Sequence, residues 1–188
     1  MAKVLLHTCC GPCLIYSYEK LTKEGHDVTC FYYNPNIHPF KEYKERLKSV
    51  RKCCKELSIP LIVGDYEMEE YFRRVAFHED ERCSICYNLR LEKTAKIAKS
   101  ENLDAFTTTL TISPYQSIES IKEIGGKVAQ EIGVQFLFKD FREGFKESHE
   151  KAKEMDLYMQ KYCGCLFSEW ERYDKRKERK RVKSNMET

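Results

Sequence analysis

The sequence predicts an α/β protein, an open and mostly parallel sheet sandwiched by helices, with a helical extension at its C-terminal end. Two observations carry that prediction. Runs with strand character recur at residues 3–8 (KVLLHT), 27–33 (DVTCFYY), 60–64 (PLIVG), 104–110 (DAFTTTL) and 134–138 (VQFLF), and segments with helical periodicity separate them. The chain of 188 residues suits one domain with a real core. Within it, residues 1–140 read as the α/β core, 141–173 as a helical cap and 174–188 as a basic tail.

Each element has a local reason. The first strand runs into HTCCGPC, where Gly11 permits a turn and Pro12 is preset for a helix start. His7 falls inside that strand and reads as a satisfied core histidine. Cys30, between Val28 and Phe31 on strand two, reads as core because a buried free cysteine behaves as a small hydrophobe. Over 41–57, Tyr43, Leu47, Val50, Cys54 and Leu57 lie at spacings of 4, 3, 4 and 3, one stripe of a helix. That places Cys53 and Cys54 with the core.

A short amphipathic helix is expected in YEMEEYFRRVAF, followed by the polar HEDER. A further helix starts at Cys86 or Tyr87 and runs to Lys99. Another spans Pro114 to Ile132 with Ser113 as its N-cap. Gly125 and Gly126 inside it cost about 1 kcal/mol each in helix propensity, and imply either close packing or a break. Residues 141–168 read as helical around a short loop at YCGC.

No segment approaches the roughly 18 apolar residues of a membrane span, so a cytoplasmic protein with no membrane partner is expected. Ten cysteines would suit a secreted disulfide scaffold only in a shorter chain carrying a signal peptide, so metal binding or redox chemistry is favoured. The net charge of +3 conceals an asymmetry, because RYDKRKERKRVK (172–183) carries eight basic and two acidic side chains. Such a run is either a solvated terminus or an arm that contacts phosphates.

With three cysteines assigned to the core, seven remain in three clusters: Cys9, Cys10 and Cys13; Cys83 and Cys86; Cys163 and Cys165. All fall at element boundaries. Cys9 and Cys10 follow strand one, where open α/β sheets bind ligands, and they converge only if the strand has already broken, since adjacent strand residues face opposite ways. Cys13 would lie on the first turn of a helix, whose N-terminal partial charge favours thiolate. The Cys83-x-x-Cys86 pair suits zinc, an iron–sulfur cluster or a redox dithiol. Cys163 and Cys165 suit ligation of neighbouring atoms or a strained, labile disulfide. Seven thiols exceed the four that one closed zinc site or one four-iron cluster takes, which implies more than one metal or redox element. Bulky thiols also occupy the place where a nucleotide enzyme carries phosphate-binding glycines, so ATP is not expected there.

Taken together, HTCCGPC, YNPNIHP with EYKER, RCSICYNLRLEKTA, TTTLTISPYQ, KDFREG and YMQKYCGCLFSEWER resemble the cobalamin-independent epoxyqueuosine reductases of the QueH type. The resemblance spans residues 7 to about 172. It implies an adenine-nucleotide-alpha-hydrolase-like, Rossmann-like fold that has lost nucleotide chemistry and carries a [4Fe–4S] cluster with a second metal ion, iron, nearby. The implied reaction is the last step of queuosine formation, removal of the epoxide oxygen at the tRNA wobble position. On that reading Cys9, Cys10, Cys83 and Cys86 hold the cluster, while Cys13, Cys163 and Cys165 serve the second metal or a redox pair. Cys13, Tyr87 and Tyr115 form the catalytic set, the tyrosines as proton donors. Asn34, Asn36 and Gln116, with Tyr115, hold the modified base. The partners are tRNA with epoxyqueuosine in its anticodon loop and an electron donor the sequence does not identify. A thiol–disulfide oxidoreductase, colourless and without iron, and a zinc-bound RNA-binding module are the rival readings.

Overall fold

The computed structural model describes residues 1–174, so the basic stretch from 175 onward, and with it the expected phosphate-contacting arm, lies outside the described residues. Strands β1 (Lys3–His7), β2 (Asp27–Tyr32), β3 (Leu61–Val63), β4 (Ala105–Thr108) and β5 (Gln135–Phe136) fall where hydrophobic patterning puts them. They form one all-parallel sheet in the order β3-β2-β1-β4-β5, and Leu5 of β1 registers with Thr29 on one side and Phe106 on the other. The central strand is buried from Val4 to His7, as expected for a parallel sheet covered on both faces.

Helices α1 (Gly11–Lys23), α2 (Phe40–Glu56), α3 (Met68–Val75), α4 (Arg82–Ser100), α5 (Ile118–Ile132), α6 (Phe145–Glu154) and α7 (Leu166–Tyr173) complete the architecture. Strand side chains alternate between two cores. Leu6, Val28, Cys30 and Tyr32 pack with Leu14 and Ile15 of α1, Val50, Cys53 and Cys54 of α2, and Ala152 of α6. Leu5, Phe31 and Phe106 pack with Tyr71 of α3, Leu89 and Leu91 of α4, and Ile121 and Val128 of α5. The three cysteines assigned to the core are therefore buried, and the Cys30 thiol also meets the Thr8 hydroxyl at 2.9 Å. His7 is buried with both ring nitrogens satisfied, Nδ1 by Thr108 Oγ1 at 2.9 Å and Nε2 by the Tyr33 carbonyl at 3.1 Å.

Several boundaries differ from expectation. Helix α4 begins at Arg82, ahead of Cys86, because the acidic run Glu79–Asp80–Glu81 forms a 3₁₀ turn at its N-terminus, where negative charge is favoured. Helix α5 begins after Ser117, whose hydroxyl accepts from the Ser120 N–H, and Ser113–Gln116 forms a turn instead. Strand β4 stops at Thr108 and residues 109–112 wind into a 3₁₀ turn. Between α6 and α7, residues 155–165 form a longer irregular segment than the expected short loop. Gly125 resolves as close packing: a Cβ there would fall 2.1 Å from the Phe136 ring, while Gly126 faces open space and the helix runs through both. Helix α6 packs on α1, since Ser148 donates to the Pro12 carbonyl and accepts from the Tyr16 N–H.

Candidate metal centre

The strand order reverses beside β1, which leaves a crevice between the carboxyl ends of β1 and β4. Cys9 stands there. Its N–H donates to Thr109 Oγ1 at 3.2 Å, and the same hydroxyl lies 3.4 Å from the Cys9 sulfur. Because β1 ends at His7, Cys10 is already the extended cap residue of α1, and Cys13 lies on that helix's first turn with Pro12 just before it. The break turns all three side chains to one place. The Sγ atoms of Cys9, Cys10 and Cys13 lie within 4.8 Å of one another, with Cys9 and Cys10 3.7 Å apart.

The thiols of this trio are not equivalent. Donation from the Cys10 and Cys13 thiols, then from Thr109, holds Cys9 well below the usual thiol range against the opposing effect of burial. Burial raises Cys10, and its thiol neighbours raise Cys13. Of the three, Cys9 is therefore the thiol that gives up its proton most readily. Metal binding would displace the remaining protons.

Cys83 and Cys86 occupy the first turn of α4, Cys83 exposed and Cys86 buried. Cys163 and Cys165 flank Gly164, whose φ of +143° only glycine adopts readily. Cys165 caps α7 by accepting from the Ser168 N–H at 3.4 Å. These four lie close enough that Cys163, Cys165 and Cys83 all oppose ionisation of Cys86, which burial already pushes up to about 12. Cys13 thus stands with Cys9 and Cys10 at metal-ligand spacing, while Cys163, Cys165 and Cys83 lie within Coulomb range of Cys86.

Polar side chains contact each set of thiols. Gln160, in the irregular segment before α7, donates from Nε2 to Cys10 Sγ at 2.9 Å, and its own Oε1 is buried without a partner. Gln116 donates from Nε2 to Cys163 Sγ at 3.5 Å and accepts from the Tyr87 hydroxyl at 2.9 Å. Burial raises that hydroxyl to about 12. Tyr115, by contrast, is 86% exposed: the turn that precedes α5 leaves it on the surface and gives Gln116 the inward place, so the two tyrosines are not alternatives in one dry pocket. Asn34 is buried and donates from Nδ2 to the Thr8 carbonyl, and Asn36 is buried beside it; the Oδ1 atom of each lacks a partner.

Two arginines went unnoticed in the sequence. Arg46 of α2, 1% exposed, donates from Nε to Glu42 and from its two terminal nitrogens to the Tyr162 and Cys163 carbonyls at 2.9 and 2.8 Å. Arg90 of α4, 2% exposed, lies in the Coulomb field of Cys86, Cys163 and Cys9. The spacing Cys83, Cys86, Arg90 puts all three on one helical face, and that was the available signal.

The chain is similar to known proteins over most of its length. The family described as epoxyqueuosine reductase QueH matches residues 4–171. Epoxyqueuosine reductase QueH of Dehalococcoides mccartyi is 41% identical over 174 residues, covering 92% of this chain and 96% of that protein. The Thermotoga maritima protein of the same description is 36% identical over 196 residues, covering 99% and 100%. A crystal structure of a predicted subunit of tRNA methyltransferase from Methanocaldococcus jannaschii superposes with a TM-score of 0.53 at 17% identity, covering 82% of this chain and 75% of that one. That likeness concerns the fold alone, an all-parallel sheet flanked by helices. Among the described residues no helix is long and apolar enough to cross a membrane. With its sulfur-lined crevice and a match over nearly its whole described length, the chain belongs to the epoxyqueuosine reductase QueH family, a family of oxidoreductases.

Proposed function

We propose that this chain removes the epoxide oxygen of epoxyqueuosine in the anticodon loop of tRNA, with a [4Fe–4S] cluster held by Cys83, Cys86, Cys163 and Cys165 and a single iron held by Cys9, Cys10 and Cys13. The reading is carried by the Cys9–Cys10–Cys13 trio after the central strand, with Cys86 and Cys163 in Coulomb range of the same buried Arg90 as Cys9. Spacing supports the division. Metal–sulfur bonds of about 2.3 Å in a tetrahedron put neighbouring sulfurs about 3.8 Å apart, and Cys9 and Cys10 are 3.7 Å apart. A four-iron cluster takes four cysteines, the number in the second group. The donors are soft thiols, the type that selects iron–sulfur clusters and related metals.

Conversion of an epoxide to an alkene consumes two electrons and two protons and releases water, and the bound metals would supply the electrons and a Lewis acid for the oxygen. The protein's own groups do the rest. Tyr87, protonated throughout the neutral range, is placed to give a proton, and Gln116 fixes its hydroxyl. The unpartnered carbonyl oxygens of Asn34 and Asn36 offer acceptors for the donors of the modified base. Cys83 and Cys163, the exposed members of the set, mark the side from which a splayed-out base enters. Thr109 and Gln160 hold the first thiol group in place.

The test is anaerobic reconstitution with iron and sulfide, followed by incubation of the reduced protein with epoxyqueuosine-containing tRNA and mass spectrometry of the nucleosides. Queuosine forms with the unaltered chain and with Cys54→Ala, whose thiol lies in the core, but not with Cys86→Ala. An iron-loaded, reduced protein that leaves the epoxide intact refutes the assignment.

A further inference from the structure

A guanidinium cannot be deprotonated in a protein, so burying one demands negative charge nearby. Arg46 meets that demand with Glu42 at 2.8 Å. Arg90 does not. It is 2% exposed, its Nε donates only to the Cys86 carbonyl at 3.1 Å, and its Nη2 is buried with no partner. Among the described residues no carboxylate pairs with it, and the groups whose charge bears on it most are Cys86, Cys163 and Cys9, followed by Tyr87. The face of the Tyr87 ring lies 6.0 Å away. Arg90 therefore stands where the two thiol groups adjoin, with one donor unspent.

We propose that Arg90 is the counter-cation of the thiolate-lined basin, a positioning residue whose free Nη2 faces the negative charge gathered on the sulfur ligands. The inference rests on the reading that these thiols hold iron. Thiolates and sulfide accumulate negative charge, and a buried positive charge beside them favours the electron-rich, reduced state. It also opposes mutual repulsion among the ligands while they load. In the metal-free protein, where Arg90 is buried without a carboxylate partner, the same charge contributes nothing to stability that an apolar side chain of similar volume would not.

Three proteins decide it: the unaltered chain, Arg90→Lys, which keeps the charge, and Arg90→Met, which keeps volume alone. Each is melted metal-free, then reconstituted, assayed for iron and sulfide, and titrated spectroelectrochemically. Metal-free Arg90→Met is expected to melt at or above the unaltered protein. Its bound iron should be harder to reduce by at least tenfold in the redox equilibrium, 59 mV for one electron, or be lost altogether, with Arg90→Lys restoring most of either property. The proposal is overturned by an unchanged potential at normal iron content, by equal damage from Lys and Met, or by a metal-free melt lowered by more than about 10 °C in Arg90→Met, which would assign the residue to packing. An unaltered protein that takes up no iron refutes the iron reading, and the metal-free melts then decide the role of Arg90 by themselves.

Discussion

Arg46→Met is the substitution most damaging to the frame that carries the site, and its cost follows from its contacts. The side chains of Arg46 and Glu42 are 2% and 10% exposed, and the pair is one turn apart on α2. Removing the cation leaves the Glu42 carboxylate buried with only the Tyr158 hydroxyl as donor, and breaking a buried pair from one side costs about 3–5 kcal/mol. The carbonyls of Tyr162 and Cys163 lose their donors too, but water reaches that loop and keeps their share small. With a urea slope of about 2 kcal/mol per molar, the unfolding midpoint should fall by about 2 M. Glu42→Gln made together with Arg46→Met removes the stranded charge, so the double variant should recover about 2–3 kcal/mol relative to the sum of the singles. Urea unfolding followed by circular dichroism measures all three. A single variant costing less than about 1 kcal/mol, or a cycle additive to within about 0.5 kcal/mol, would show that the pair is not the keystone of the 160–165 loop.

Adjacent glycines of α5 should respond in opposite directions. Gly126→Ala, facing open space, should raise stability by up to about 1 kcal/mol, whereas Gly125→Ala should lower it by about 1–3 kcal/mol by pushing on Phe136; thermal melts compare them. Glu67 is held below the ordinary carboxylate range, first by the Tyr33 hydroxyl and then by Lys93. Its depressed native pKa stabilises the fold above the unfolded carboxylate value, and that increment disappears as acid titrates the native group. Glu67→Gln should therefore flatten the acid limb of stability, by only about 0.5 kcal/mol because the side chain is 38% exposed; chemical unfolding between pH 3 and 6 reads it. Deleting residues 175–188 should weaken tRNA binding and flatten its dependence on salt, since each phosphate contact contributes a slope of about 0.7–0.9. An unchanged slope in a titration of binding against salt would remove the tail from the interface.

The sheet was legible because its strands are near-continuous apolar runs, a pattern that burial on both faces imposes. Every one of the five landed where it was expected, while helix starts moved. Ser113–Pro114 and Ser117 both offer capping chemistry to α5, and the contest is decided by Tyr87, whose hydroxyl receives the Ser117 N–H at 3.4 Å. Nothing in the sequence around Ser117 encodes that contact. The start of α4 was misplaced for a related reason: HEDER looked like a loop, yet its acidic residues lie where the dipole of α4 favours them.

The thiols announced themselves because clustered cysteines are costly to keep without a use. The charges that serve them did not, since an arginine on an amphipathic helix ordinarily reads as solvent-facing. Only the fold shows that α2 and α4 lie against opposite faces of the sheet and that each sends one guanidinium inward at its carboxyl edge. Arg46 arrives with its own carboxylate and so can be explained as structure. Arg90 arrives without a carboxylate, and a buried cation so placed needs the negative charge of the thiolates and of what they bind. That asymmetry between two arginines, more than the count of cysteines, is the physical argument that the crevice is built to hold something negative.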